Sequence, residues 1–231
     1  MSDEKNLPVV HSAQNLTIIF PKKNEHISDK DAKKNRDLIK NEGAYTGNGK
    51  VYLNTRALTH ILATDKKGVN RFYNNLENED KLEQGEKNLV SVAALSKEIS
   101  ERIQEPRDTL QKERLRDSEK CLNALRDSPD LEKVREVAES KNRKEKYKLK
   151  QRKIAAENIS TCQLTGKPLE ADADAHHIAR QADEPRETLN LDNIIVINKQ
   201  PHREIHAAGA ESSEELSELC KEKDWNDPTK S

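Results

Sequence analysis

Four of the seven histidines lie within residues 161–209, at spacings suited to metal binding. His202 and His206 are four residues apart, and on a helix such residues project from one face on successive turns. His176 and His177 are adjacent in ADAHHI, a run that predicts a short strand. Since neighbouring strand residues point to opposite sides, one imidazole can join His202 and His206 on a cation while the other faces a substrate. That division suits phosphodiester hydrolysis, in which a neutral imidazole takes a proton from water.

The elements that must position these histidines are a strand, a loop, a second strand and a helix. After the first strand, residues 179–189 are polar and contain a proline, which predicts a loop. The apolar, β-branched run at 194–197 is too short for a helix and predicts a buried strand. Pro201 suits the first turn of a helix, and Gly209 suits its C-terminal cap.

The order His-His, Asn, His-x-x-x-His resembles the HNH (ββα-metal) endonucleases, and its spacing is similar to that of the colicin DNases. The resemblance covers about a fifth of the chain. It implies three metal ligands, which are His176, His202 and His206. It also implies that His177 is the general base and that Asn193 braces the loop between the strands.

Asp174 stands where the colicin-like motif has an acidic residue. We expect it to accept the outer N–H of a ligating histidine or to orient a phosphate-binding arginine. Many HNH proteins hold the motif between two CxxC pairs, whereas only Cys162 is present here, so we expect no zinc knuckle. We expect one divalent ion, Mg²⁺, Mn²⁺, Ni²⁺ or Zn²⁺, and three imidazoles suit the transition metals better than magnesium.

Two other interpretations use the same residues. Cys162 would complete a closed, structural zinc site if it were the fourth ligand in place of water. Alternatively, the chain is a non-enzymatic, phage-type DNA-binding regulator that keeps a degenerate HNH fold. RNA is a less expected substrate than DNA, although nothing in the motif senses a 2′ hydroxyl.

The composition argues against one large core. Of 231 residues, 32% are hydrophobic and 36% are charged, with a mean hydropathy of -1.03, so long exposed helices must take up part of the length. The three cysteines show no pairing pattern, and the N-terminal MSDEKNLPVV has no export signal. We therefore expect a cytoplasmic protein with no membrane segment.

We expect an α+β chain in three parts: a small α/β module at residues 1–86, a helical linker at 87–158 and the HNH nuclease domain with a C-terminal helix at 159–231. The first part contains a strand at NLTIIF, a helix between Ser28 and Gly43, and a Gly-Asn-Gly turn ahead of a short strand in YTGNGKVYL. Two short helices, TRALTHILA and KKGVNRFYNNL, predict either a helix-turn-helix that binds DNA or a generic helical pair.

The middle part carries helical stripes, with a new helix opening at Pro106 and a stop at Ser128-Pro129. Such stripes most often form a core, and they otherwise form a helical hairpin or the seam of a homodimer. Residues 141–153 hold eight Lys or Arg and one Glu, which predicts either a solvated linker helix or, as its position before the motif favours, a basic helix that contacts DNA phosphates. The expected DNA contacts are Lys141, Arg143, Lys144, Lys148, Arg152 and Lys153, with Arg180 and Arg203 in the motif.

Overall fold

The structure is a computed structural model that describes residues 8–230, a mixed α+β chain. It divides into two compact units, Met1–Glu139 and Ser140–Ser231. Residues 1–7 and Ser231 lie outside the described residues. The expectation that MSDEKNLPVV contains no export signal falls largely on them. Between Pro8 and Lys230, none of the helices combines the length and the apolar composition needed to cross a bilayer.

The first unit contains a five-stranded antiparallel sheet. Its strands are β1 (Val10–Ser12), β2 (Gly43–Thr46), β3 (Val51–Asn54), β4 (Lys81–Gln84) and β5 (Lys87–Ser91). Their order across the sheet is β1-β2-β3-β5-β4. Two of the connections are tight hairpins, and each uses a glycine with positive φ, Gly49 and Gly85.

Five helices accompany the sheet in the first unit: α1 (Asp29–Glu42), α2 (Leu58–Ile61), α3 (Lys66–Asn75), α4 (Val92–Gln104) and α5 (Thr109–Arg126). A further helix, α6 (Pro129–Lys146), begins in the first unit and ends in the second. The predicted limits of α1 are confirmed. Ser28 Oγ accepts a hydrogen bond from the Asp31 amide at 3.1 Å. The helix ends before Gly43, where a Cβ would lie 2.5 Å from the Ile39 carbonyl oxygen.

The helices at residues 87–139 are not a linker, because their apolar stripes are part of the first unit's core. Leu95 and Ile99 of α4 and Leu122 of α5 are fully buried in one cluster with Leu53 of β3. The predicted apolar stripes are therefore confirmed, and they pack with the N-terminal sheet. The expected boundary at residue 86 is replaced by one at Glu139.

Three local predictions in this unit are wrong. NLTIIF is not a strand, because Asn15 ends a 3-10 turn and residues 17–20 have no regular structure. The Thr17 amide donates to the Asp130 carboxylate at 2.7 Å instead of to a strand partner. Residues 88–91 are strand rather than helix, because they pair with β3 and β4. The helix expected to open at Pro106 begins at Thr109, since Asp108 supplies the N-cap by accepting a bond from the Gln111 amide.

The proposed helix-turn-helix corresponds to α2 and α3. α2 is only one turn long and follows a 3-10 turn at Thr55–Ala57. Leu58 and Ile61 of α2 and Val69 of α3 are buried in the core. The helical pair is present, and DNA binding by it stays a prediction.

The second unit consists of α7 (Leu149–Glu157), β6 (Asp174–His177), β7 (Ile194–Ile197), α8 (Lys199–Ala208) and α9 (Ser213–Lys223). Its core includes Cys162, Ile195, Ile205 and Leu216. Gly209 has φ +66 and ends α8, as predicted. The basic segment is not one helix, because α6 ends at Lys146 and α7 starts at Leu149.

Candidate metal centre

The hairpin of β6 and β7 determines which way each histidine of β6 points. His176 pairs with Ile195, and His177 pairs with Ile194, in an antiparallel register. All four residues of β7 are buried, which anchors the hairpin against the core. His176 is only 9% exposed, whereas His177 is partly exposed. The alternation of the strand therefore separates the two imidazoles.

The helix α8 follows β7 directly and presents the other two histidines. Pro201 and Ile205 are its buried residues and hold one side of the helix against the core. His202 and His206 lie on the more exposed side, one turn apart. The short connection from β7 to α8 brings both rings to His176.

His176, His202 and His206 form one cluster, in which each offers a nitrogen within 4.8 Å of the others'. The Nε2 atoms of His202 and His206 are 3.1 Å apart. The ring of His176 lies 5.2 Å from that of His202 and 5.5 Å from that of His206, between centroids. The structure thus brings together the three residues that the sequence predicted as ligands.

The cluster fits a transition-metal ion in spacing and in donor type. Two nitrogens at about 2.0–2.1 Å from one tetrahedral ion would be roughly 3.4 Å apart. Burial, and then the neighbouring imidazoles, lower the pKa of His176 to about 4. Burial, followed by the charge of His206, also lowers the pKa of His202. At neutral pH both imidazoles are therefore uncharged, and each has a lone pair to offer.

Asp174 contacts the cluster through one ring nitrogen of His202. Its Oδ2 atom is 3.2 Å from Nδ1 of His202 and 3.4 Å from the ammonium of Lys199. If Nδ1 of His202 carries the proton and donates it to this carboxylate, Nε2 is left as the ligand atom. The carboxylate orients a histidine, while its cationic partner is a lysine rather than an arginine.

His177 is held by partners that are independent of the cluster. Its Nε2 atom is 3.0 Å from the carbonyl oxygen of Thr188, an atom that can only accept a hydrogen bond. Nε2 must therefore carry the proton, which leaves Nδ1 with a lone pair. The side-chain nitrogen of Gln181 lies 2.9 Å from Nδ1 and 3.1 Å from Nε2, and of these two ring atoms Nδ1 is the one that can accept a bond from it.

Asn193 joins the two ends of the loop between the strands. Its Oδ1 atom accepts a hydrogen bond from the Ala179 amide at 2.8 Å. Its Nδ2 atom donates to the carbonyl oxygens of Ala179 at 3.2 Å and Glu187 at 3.3 Å. Glu187 directly precedes Thr188, so these bonds support the carbonyl that holds His177.

Cys162 does not join the three histidines in the described part of the chain. Its side chain is fully buried in the core, and its Sγ atom accepts a hydrogen bond from the Asn198 amide at 3.5 Å. This amide begins α8, so Cys162 helps to position the helix. The closed zinc site with Cys162 as fourth ligand is therefore not formed.

The residues predicted to contact DNA differ in their exposure to solvent and in their ion pairs. Lys153 is 5% exposed and donates to Glu157 and to the Leu191 carbonyl, so its placement on a DNA-binding surface is wrong. Lys148 and Arg152 are exposed, and both pair with Glu145. The remaining five are also exposed: Lys141, Arg143, Lys144, Arg180 and Arg203.

A cleft of about 420 Å³ lies in front of the histidines. All four of the motif's histidines line it, together with Arg180, Gln181 and Glu211. Arg180 pairs with Glu211 at this cleft. The sequence did not single out Gln181, Thr188 or Glu211. Thr188 acts through its backbone, and the other two lie in loops without a periodic pattern.

Comparisons of the chain with protein-family models, with curated proteins and with solved structures find no match.

Proposed function

We propose that this protein is a metal-dependent DNA endonuclease of the HNH type, with β6, β7 and α8 as its ββα-metal element. The observation that carries the proposal is the clustering of His176, His202 and His206, whose ligand atoms lie within 4.8 Å of one another, beside the hydrogen-bonded imidazole of His177. A purely structural metal site would not require His177 to face the same cleft.

His176, His202 and His206 would hold one divalent cation. When bound, such an ion supplies Lewis acidity, which polarises a phosphate oxygen and stabilises a departing 3′ oxygen. Uncharged imidazole nitrogens favour Zn²⁺, Ni²⁺ or Mn²⁺ over Mg²⁺, which prefers oxygen ligands. Asp174 keeps His202 in the tautomer that presents Nε2.

His177 acts as the general base through Nδ1. The water oxygen attacks phosphorus, its proton moves to Nδ1, and the bond from phosphorus to the 3′ oxygen breaks. The 3′ oxygen then takes a proton from solvent, which gives a 5′ phosphate and a 3′ hydroxyl. The Thr188 carbonyl holds the Nε2 proton throughout, so the imidazole stays aimed at the water. Gln181 must move from Nδ1 before a water can take its place.

DNA is the proposed substrate because the chain leading into the site is strongly basic. Lys141, Arg143 and Lys144 are exposed on the end of α6. Contacts of this kind bind the phosphate backbone without reading sequence. Arg180 adds a guanidinium at the cleft itself, where a phosphate would compete with Glu211. A single ββα element cuts one strand, so double-strand breaks require two copies or two successive nicks.

The three cysteines are free and buried, which agrees with action in a reducing compartment such as the cytoplasm. A role in a phage or another mobile element is part of the same proposal and rests on sequence resemblance alone, including that of Val51 to Leu76 to small DNA-binding modules of phage regulatory proteins.

Incubation of the protein with supercoiled plasmid tests the proposal. Separate reactions contain Mg²⁺, Mn²⁺, Ni²⁺ or Zn²⁺, with an EDTA control. Conversion to the nicked form in at least one metal, and none in EDTA, is expected. A salt-sensitive gel shift with no nicking in any metal would overturn the nuclease and favour the DNA-binding regulator.

A further inference from the structure

The corner between α6 and α7 carries an aromatic ring that the proposed chemistry does not use. Tyr147 is 83% exposed, although tyrosine rings commonly bury much of their surface. Two residues later Leu149 is 2% exposed, so the corner is anchored on one side while the ring stands in solvent on the other.

The corner is well defined rather than frayed. The Lys148 amide donates to the Glu145 carbonyl at 3.0 Å, and the Arg152 amide donates to the Lys148 carbonyl at 2.9 Å. The Glu145 carboxylate also pairs with the side chains of Lys148 and Arg152. A ring on such a support loses little conformational freedom when a ligand stacks on it.

Positively charged residues flank Tyr147 in the chain. Lys144, Lys146 and Lys148 are exposed within three residues of Tyr147. Lys146 donates to the neutral amide of Gln181 at 2.8 Å, so this bond leaves its positive charge available to a phosphate. An aromatic face among cations is the pairing that binds single-stranded nucleic acids, in which bases stack and phosphates are neutralised.

The same corner is connected to the candidate active site. Gln181 accepts a bond from Lys146 and donates one to Nδ1 of His177. Tyr147 is adjacent to Lys146 in the chain, so a strand that runs from the cleft along this corner passes the ring within a few nucleotides of the scissile phosphate.

We propose that Tyr147 stacks on an unpaired base of the bound DNA and thereby directs the enzyme to substrates with single-stranded character near the cut. The inference rests on the proposed nuclease function and specifies its substrate class. In an intact duplex each base is already stacked on its neighbours, so the ring has no free base face to cover. A single strand, a flap or a gap offers such a face.

Binding measured in EDTA tests this inference without cleavage. Fluorescence anisotropy is followed for a labelled oligothymidine of roughly 15 nucleotides and for a duplex of the same length. We expect Tyr147→Ala to weaken oligothymidine binding by roughly 5- to 100-fold, the worth of one stacked base, and to leave duplex binding unchanged. Tyr147→Phe retains the stacking face and should bind the single strand like the unaltered protein.

Lys144→Ala is the matched control, because it removes a neighbouring exposed charge without touching the ring. It should weaken both ligands and lower the salt slope by about one. Equal losses on both ligands for Tyr147→Ala, or no loss on either, would overturn the stacking role. In a second measurement, Tyr147→Trp should show an indole fluorescence change with oligothymidine but not with duplex, and its absence would also overturn it.

These outcomes are separable from those of the plasmid assay. Selective loss of single-strand binding in Tyr147→Ala supports stacking even if no metal gives nicking. Nicking that depends on His177, without any effect of Tyr147, overturns only the stacking inference.

Discussion

The Nε2 atom of His177 lies 3.0 Å from the carbonyl oxygen of Thr188. Because a carbonyl only accepts, the neutral form of the ring carries its proton on Nε2 and its lone pair on Nδ1. The orientation does not depend on the three clustered histidines, so the base and the metal ligands can be altered separately.

His177→Ala is expected to abolish plasmid nicking while metal affinity stays unchanged, since the three ligand atoms belong to other residues. Nicking and calorimetric titration with Zn²⁺ measure the two properties. His26→Ala, at an exposed position in the first unit, is the control for loss of a histidine. Nicking at the normal rate by His177→Ala would show that another group activates the water.

Asp174→Asn is expected to lower metal affinity by about 10- to 100-fold, the usual effect of losing a carboxylate behind a ligating histidine. The amide can still occupy the position, but it no longer attracts the Nδ1 proton of His202 with a full charge. Competition with a chromogenic chelator measures the affinity.

Asp172→Asn is the matched control for Asp174→Asn, because it makes the same chemical change two residues earlier at an exposed position. Equal affinities for the two variants would contradict the assigned role of Asp174.

Asn193→Asp is expected to destabilise the second unit by about 1–3 kcal/mol, because an ionised carboxylate cannot donate to the carbonyls of Ala179 and Glu187. Urea denaturation measures the loss, and nicking should fall as the Thr188 carbonyl loses its support. Asn142→Asp, at an exposed position on α6, is the control. The same stability for Asn193→Asp as for the unaltered protein would refute this role.

From the burial of Cys121 we expect the free energy of unfolding to fall at alkaline pH. Burial, and then the neighbouring Asp117 carboxylate, raise the pKa of its thiol to about 12. In the unfolded chain the thiol loses its proton at about pH 8.5. Above that pH the unfolded state therefore binds fewer protons than the folded state. The contribution to stability is complete below this pH and is lost as the pH rises towards 12.

Cys121→Ser isolates this effect, because a hydroxyl does not ionise in the same range. Urea denaturation between about pH 8 and 11 should show a steeper loss of stability in the unaltered protein than in the variant. Parallel curves would mean that Cys121 ionises equally easily in both states.

The centre of the candidate site was predictable because its geometry is local. A separation of four residues on a helix and an adjacent pair on a strand each place side chains by backbone geometry alone. Gln181 and the Thr188 carbonyl were not predictable, since both lie in a loop whose path depends on bonds made by Asn193. No periodic pattern encodes such a path.

The fold was predictable where a sequence pattern is compatible with only one type of secondary structure. The apolar stripe of Leu95 and Ile99 predicted a helix with a buried face, and both residues are buried. The sequence pattern does not show what this buried face packs against, because its partners are distant in the chain. The expectation of a helical linker is therefore wrong for this helix, which packs in the core of the first unit. NLTIIF has the apolar and β-branched composition of a strand, but a strand also needs a neighbour to pair with, and residues 15–20 pair with none.

The register of the β6–β7 hairpin has a consequence for insertions and deletions. A slip of one residue in β6 would turn His177 towards α8 and His176 away from it, and so exchange the roles of ligand and base without altering any side chain. Length changes in the loop after Gln181 leave this assignment intact, whereas one residue added between Asp174 and His176 reverses it if Asp174 keeps its pairing with Ile197.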